Sequence, residues 1–144
     1  MSQFGTDISS DDIVDNLSFF DSWEDRYKYI IDLGKSLPAL PDALKTEDRF
    51  VRGCQSQVWL ADHYDAAENR LYLAVDSDAL IVRGLAAIVL AALNRKSPRQ
   101  ILEYDMQSYF GRLDLLKHLS PTRGNGVQSM VEKIHTVAKA LNTA

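Results

Sequence analysis

Between residues 79 and 93 the chain is apolar almost without a break, interrupted only by Arg83 and Gly84. A helix that is apolar all round must be enclosed by other parts of a fold or by a bilayer. The uninterrupted part, residues 85–93, is far shorter than the roughly 20 residues that a membrane crossing requires. The segment therefore predicts a central, buried helix in a soluble protein, with the other elements arranged to cover it. Gly84 sits inside it at a cost of about 1 kcal/mol relative to alanine, which is explained either by ordinary packing or by close approach of a neighbouring backbone.

A chain of 144 residues, 46% hydrophobic, is long enough to enclose such a helix within one domain spanning 1–144. The formal net charge is -4 and the basic residues are scattered, so there is no electrostatic footprint for nucleic acid. The opening MSQFGTDISSDD is acidic and polar where an export signal would be basic and then apolar, so a cytoplasmic location is expected. A single cysteine excludes an internal disulfide, and there is no Cys/His cluster for a structural zinc. His63, His118 and His135 share no helical spacing and read as surface or packing residues.

Around the apolar segment the pattern changes period. Ser10 followed by Asp11 and Asp12 predicts a short helix through Phe19, and Ser22 with Asp25 a second one ending before Pro38 and Pro41. Val58 and Leu60, then Leu71, Leu73 and Val75, alternate with other residues at period two and predict paired strands joined through the polar residues 65–69. Phe50 and Val51 are candidates for a short third strand. Asp76 and Ser77 read as the start of the apolar helix. Ser97, Pro98 and Gln100 form a cap, a first-turn proline and a capping partner. Tyr109 and Phe110 belong to another short helix, and Val127, Met130, Val131, Ile134, Val137, Ala138 and Leu141 form the stripe of a final one. The fold class expected is α+β, a small antiparallel sheet of about three strands packed against several helices.

The only thiol, Cys54, follows Gly53 and precedes a polar turn into the first strand. A glycine-bearing loop is a suitable mount for a nucleophile that a partner must reach. On these residues alone an inert packing cysteine is the better reading. The longer string Arg52-Gly53-Cys54-Gln55-Ser56-Gln57-Val58-Trp59-Leu60 closely resembles the GCQSQVW signature of the SufE family. The resemblance continues through Trp23-Glu24-Asp25-Arg26-Tyr27, Leu33-Gly34-Lys35, Asp76-Ser77-Asp78, Ile81-Val82-Arg83-Gly84-Leu85 and Leu119-Ser120-Pro121-Thr122-Arg123, so it spans nearly the whole chain.

The resemblance implies a fold like that of the IscU-type iron–sulfur scaffold proteins. It also implies a function: the motif cysteine, here Cys54, accepts sulfane sulfur from a pyridoxal-phosphate cysteine desulfurase as a persulfide, stimulates that enzyme, and passes the sulfur on for cluster assembly. The protein itself would be a sulfur-relay accessory rather than an enzyme and would hold no cofactor, the pyridoxal phosphate belonging to its partner. Gly53 and Gln55 would shape the loop. Arg123 matches an arginine implicated in the partner interface, Arg83 matches a basic family position, and Asp78 lies in a segment that faces the cysteine loop and influences docking. Arg52, Arg83 and Arg123 could each favour a thiolate; a solvated surface residue is an equal reading for Arg123 and the better one for Arg52 and Arg83. Trp59 and Tyr27 read as core aromatics.

Two details bear on the partner. The family often has serine and glutamine after the late arginine, whereas Gly124, Asn125 and Gly126 stand here, loosening the start of the final helix. Residues 37–42, LPALPD, are similar to the CsdE branch while the cysteine motif favours SufE, so the desulfurase is SufS-like or CsdA-like and the downstream acceptor a SufBCD-type scaffold or another sulfur acceptor. Two other readings compete. In one the protein is a non-catalytic adaptor that activates a desulfurase allosterically. In the other it is a thiol hydrolase, which would need a histidine base, His63 being nearest in sequence.

Overall fold

The computed structural model describes residues 4–5, 8–53 and 56–142. Over these the chain is α+β: six helices and a two-stranded antiparallel sheet. Helix α1 (Ser10–Ser18) begins one residue earlier than expected, because Ser9 rather than Ser10 is its cap, its hydroxyl and the Asp12 carboxylate each accepting the other residue's backbone N–H. Helix α2 (Trp23–Ser36) starts where Ser22 accepts from the Asp25 amide, and gives way to the extended, proline-containing segment at Leu37.

Strands β1 (Val58–Asp65) and β2 (Arg70–Ser77) pair from Val58↔Ser77 to Asp65↔Arg70. Asn69, with φ of 54°, turns the chain between them, and its side chain accepts from the Tyr64 hydroxyl at 2.6 Å. One sheet face carries Val58, Leu60, Leu71, Leu73 and Val75 into the core; the other carries Trp59, Ala61, His63, Tyr72 and Ala74. The expected third strand reduces to a single bridge, Phe50↔Trp59, with Val51 donating to the Val58 carbonyl at 2.8 Å. A 3-10 turn at Glu47–Arg49 on one side and Gly53 on the other leave no length for more.

Helix α3 (Leu80–Leu93) is the buried helix that the apolar run predicts, lying against α2 and β2. Its glycine is there for close backbone approach: a Cβ on Gly84 would stand 2.0 Å from the Ile30 carbonyl oxygen, and one on Gly34 2.4 Å from that of Leu80. Asp76 and Ser77 finish β2 instead of opening α3, since the ladder to Trp59 and Val58 holds them extended. The helix cap is Ala79, without a capping side chain, and the Ser77 hydroxyl accepts its amide instead.

Helix α4 (Pro98–Glu103) has the full Ser97/Gln100 capping box, and α5 (Met106–Leu113) buries Tyr109 and Phe110 as expected. Burial holds the Tyr109 hydroxyl far above the ordinary phenol range, neutral and donating to the Ile88 carbonyl at 2.9 Å. Helix α6 (Pro121–Asn142) starts three residues before the first of the glycines expected to loosen it. Ser120 accepts the Arg123 amide and Pro121 takes the first helical position, which outweighs the helix-weakening effect of Gly124 and Gly126. No helix among the described residues is long and apolar enough to cross a membrane.

Candidate functional site

The motif loop leaves and re-enters the sheet at one point. At its base Val51 donates to the Val58 carbonyl. One step further out, Gln57 donates to the Asp78 carboxylate at 3.1 Å, and the Asp78 amide returns a bond to the Gln57 carbonyl at 3.4 Å. Asp78, predicted to face this loop, thus fastens its C-terminal limb to the junction of β2 and α3. On the other limb Gly53 has φ of 90°, a left-handed backbone that disfavours any side chain, and a Cβ there would meet the Ser129 hydroxyl of α6 at 2.7 Å. Cys54 and Gln55, between these two limbs in sequence, lie outside the described residues.

Arg123 stands exposed on the first turn of α6. With Ser56, Thr122, Val82, Leu85 and Met130 it lines a narrow cleft of about 50 Å³ that runs from the motif loop down to the α3–α6 contact. Its guanidinium has no ion pair or hydrogen bond among the described residues. Arg52, also exposed, is paired instead with Glu47 at 3.2 Å and lies over the Phe50 ring.

Arg83 occupies a different environment. One nitrogen is 3.2 Å from the Asp76 carboxylate, another donates to the Gly34 carbonyl at 3.1 Å, and a third to the Leu37 carbonyl. The same carboxylate, 3% exposed, is 3.5 Å from the Lys45 ammonium and accepts the amides of Leu40 and Ser77. Arg83 and Asp76 therefore tie the end of α2 and the loop after it to the start of α3, the platform from which Asp78 reaches Gln57.

Gly53, Asp78 and Arg123 thus border the motif loop, while Arg83 supports one of them from behind. Ser56, Gln57 and Ser129 were not singled out by sequence. The first two lie inside the motif string, but Ser129 carries no local signal, because only the packing of α6 brings it to Gly53. His63 projects from the outer sheet face, its ring centroid 6.4 Å from that of Tyr72, and it is five residues along β1 from Val58, about 17 Å at the usual strand rise.

Residues 11–138 match the SufE family model, described as an Fe-S metabolism associated domain. An uncharacterised SufE-like protein of Rhizobium meliloti is 46% identical over 133 residues, covering 91% of this chain and 95% of its own. Another from Rhizobium etli is 44% identical over 133 residues, with 91% and 90% covered. Among solved structures, a hypothetical protein from Thermus thermophilus superposes with a TM-score of 0.74, covering 94% of this chain and 96% of its own, at 18% identity, a likeness of fold. On the family match and these relatives, the chain belongs to the SufE family, proteins associated with iron–sulfur metabolism.

Proposed function

We propose that this protein is a sulfur carrier in which Cys54 accepts sulfane sulfur from a partner cysteine desulfurase, SufS-like or CsdA-like, and delivers it for iron–sulfur cluster assembly. In the transfer the Cys54 thiolate attacks the terminal sulfur of the donor persulfide. The donor S–S bond breaks, its electron pair stays on the desulfurase cysteine as a thiolate, and a new S–S bond leaves Cys54 as the persulfide. No net oxidation occurs and one cysteine is enough, which agrees with a chain that has only one.

The observation that carries this reading is the segment from Arg52 to Gln57, which holds that cysteine in sequence, is closed at its base by the Val51–Val58 backbone bond, is fastened at Gln57 to Asp78, and is bordered by Arg123, whose guanidinium has no partner among the described residues. A free thiol titrates near about 8.5, so a guanidinium close to the reacting sulfurs raises the thiolate share and favours the thiolate that leaves the desulfurase. The cleft beside the loop, lined by Val82, Leu85, Val127 and Met130 together with Ser56, Thr122 and Arg123, offers a confined, partly apolar shelter for a persulfide that reductants would otherwise remove. Asp78 would hold the loop in register for docking.

Intact-protein mass spectrometry after incubation with a cysteine desulfurase and L-cysteine tests this, with wild type and Cys54→Ser compared under non-reducing conditions. The expected result is a dithiothreitol-labile gain on wild type only, in steps of about 32 Da per sulfur. If neither protein gains sulfur and both still stimulate the desulfurase, the protein is an allosteric adaptor and the carrier role is wrong.

A further inference from the structure

The first turn of α6, which carries Arg123, lacks the usual means of fixing a helix start. Ser120 accepts the Arg123 amide at 3.2 Å and the Gly124 amide donates to the Ser120 carbonyl at 2.9 Å, so Ser120 is the cap and Arg123 the third helical residue. A capping box would place Glu or Gln at that third position, bonding back to the cap amide. A hydrophobic staple would pack the residue before the cap, here Leu119, on the fourth helical residue, here Gly124, which has no side chain. Gly124 and Gly126 weaken the turn further. The direction in which this helix presents Arg123 must therefore be set from another element.

That element is α2. The Tyr27 hydroxyl donates to the His118 carbonyl at 3.0 Å. One turn earlier the Trp23 ring stacks on the His118 imidazole, with centroids 4.0 Å apart and planes 24° from parallel. Trp23 is itself held: it meets the Tyr27 ring edge-on at 6.2 Å, and the Arg26 guanidinium lies over it at 5.2 Å while donating to the Phe20 carbonyl at 3.0 Å. His118 ends the 3-10 turn Leu116–His118, and only the buried Leu119 separates it from the Ser120 cap. Fixing His118 therefore fixes the point from which α6 starts. Trp23, Tyr27 and His118 do not line the Arg123 cleft, so their influence on it passes through the backbone.

We propose that Tyr27, steadied by Trp23, is a positioning residue for Arg123: its hydroxyl anchors the His118 carbonyl and so sets the first turn of α6 beside the motif loop. The role rests on the carrier reading, in which Arg123 is the cation close to the reacting sulfurs. Tyr27 acts on sulfur transfer only through Arg123, because a side chain misplaced by a small distance loses most of what its charge contributes at a reacting centre.

The test uses Tyr27→Phe, which keeps the ring and removes only the hydroxyl, in the wild-type and Arg123→Ala backgrounds. In the intact protein alone, the Arg123 and Gly124 amides should exchange with solvent about threefold faster in Tyr27→Phe than in wild type, relative to amides of α3. An unchanged rate would overturn the anchor whatever the protein does. Desulfurase-driven sulfur uptake should fall about threefold in the wild-type background and stay unchanged in the Arg123→Ala background, where nothing is left to position. The midpoint of urea unfolding should fall equally in both backgrounds, because the same bond is lost. Tyr29→Phe, which removes from the same helix a hydroxyl that accepts from Asn16, should leave uptake at the wild-type rate. Uptake that falls by the same factor in both backgrounds, that does not fall in the wild-type background, or that falls as far in Tyr29→Phe would overturn the positioning role. Wild type that takes up no sulfur would overturn the carrier reading and this role with it, a failure told apart by the exchange result, which needs no desulfurase.

Discussion

Two arginines that look alike in the sequence, Arg83 and Arg123, have opposite surroundings, and so do the aspartates associated with them. Asp76 is enclosed by two cations and two amides, and Arg83 is fully engaged in binding it and two carbonyls. Asp78, two residues on and exposed, holds only Gln57 and its own neighbours, and Arg123 holds nothing among the described residues. The inner pair fixes the platform; the outer pair is left available at the motif loop. Position in the chain does not distinguish the two roles, but burial does, because a buried charge must be matched while an exposed one is screened by water.

The largest effect should come from breaking the inner pair. Asp76→Ala leaves Arg83 and Lys45 without their shared carboxylate and should cost about 3–5 kcal/mol, read from the midpoint of urea unfolding. An Asp76→Ala protein as stable as wild type would remove the distinction between the two pairs. Gly84→Ala acts on the same platform by forcing α2 and α3 apart, and should cost about 1–3 kcal/mol or more in the same measurement.

On the loop side, Gly53→Ala should cost about 1–3 kcal/mol, because alanine at φ of 90° is strained and also meets Ser129. Adding Ser129→Ala should relieve the contact and leave the strain, so stability should recover only in part. The smallest change in stability belongs to Arg123→Ala, within about 0.5 kcal/mol. Its desulfurase-driven sulfur uptake should nevertheless fall about tenfold, a loss of about 1.4 kcal/mol in the transition state, with Arg123→Lys in between. Loss of stability together with activity would place Arg123 with the inner pair instead.

Much of the fold was legible because it is written in local signals. The period-two segments, the Ser22 and Ser97 caps and the stripe of α6 each need only neighbouring residues, and they appear where expected. The misreadings fall where distant residues compete. Asp76 and Ser77 have the composition of a helix start but are held in the ladder by Val58 and Trp59. Phe50 and Val51 have strand character but are cut short by the turn before them and Gly53 after them. The glycines at 124 and 126 were expected to loosen the start of the last helix, yet Ser120 with Pro121 set that start ahead of them.

For the site, the motif string named the loop, and the late arginine within its own short motif named Arg123. The sequence alone therefore determined the family, the place of the one cysteine within the family's motif and most element boundaries, since these depend on residue identity and short-range spacing. Only the tertiary structure decided that Asp76 and Arg83 are engaged while the Arg123 guanidinium has no partner among the described residues, and that Ser129 closes on Gly53. Those outcomes depend on which surfaces meet when helices and sheet pack around α3, and residues from Phe4 to Ser129 contribute to them without any regular spacing in the chain.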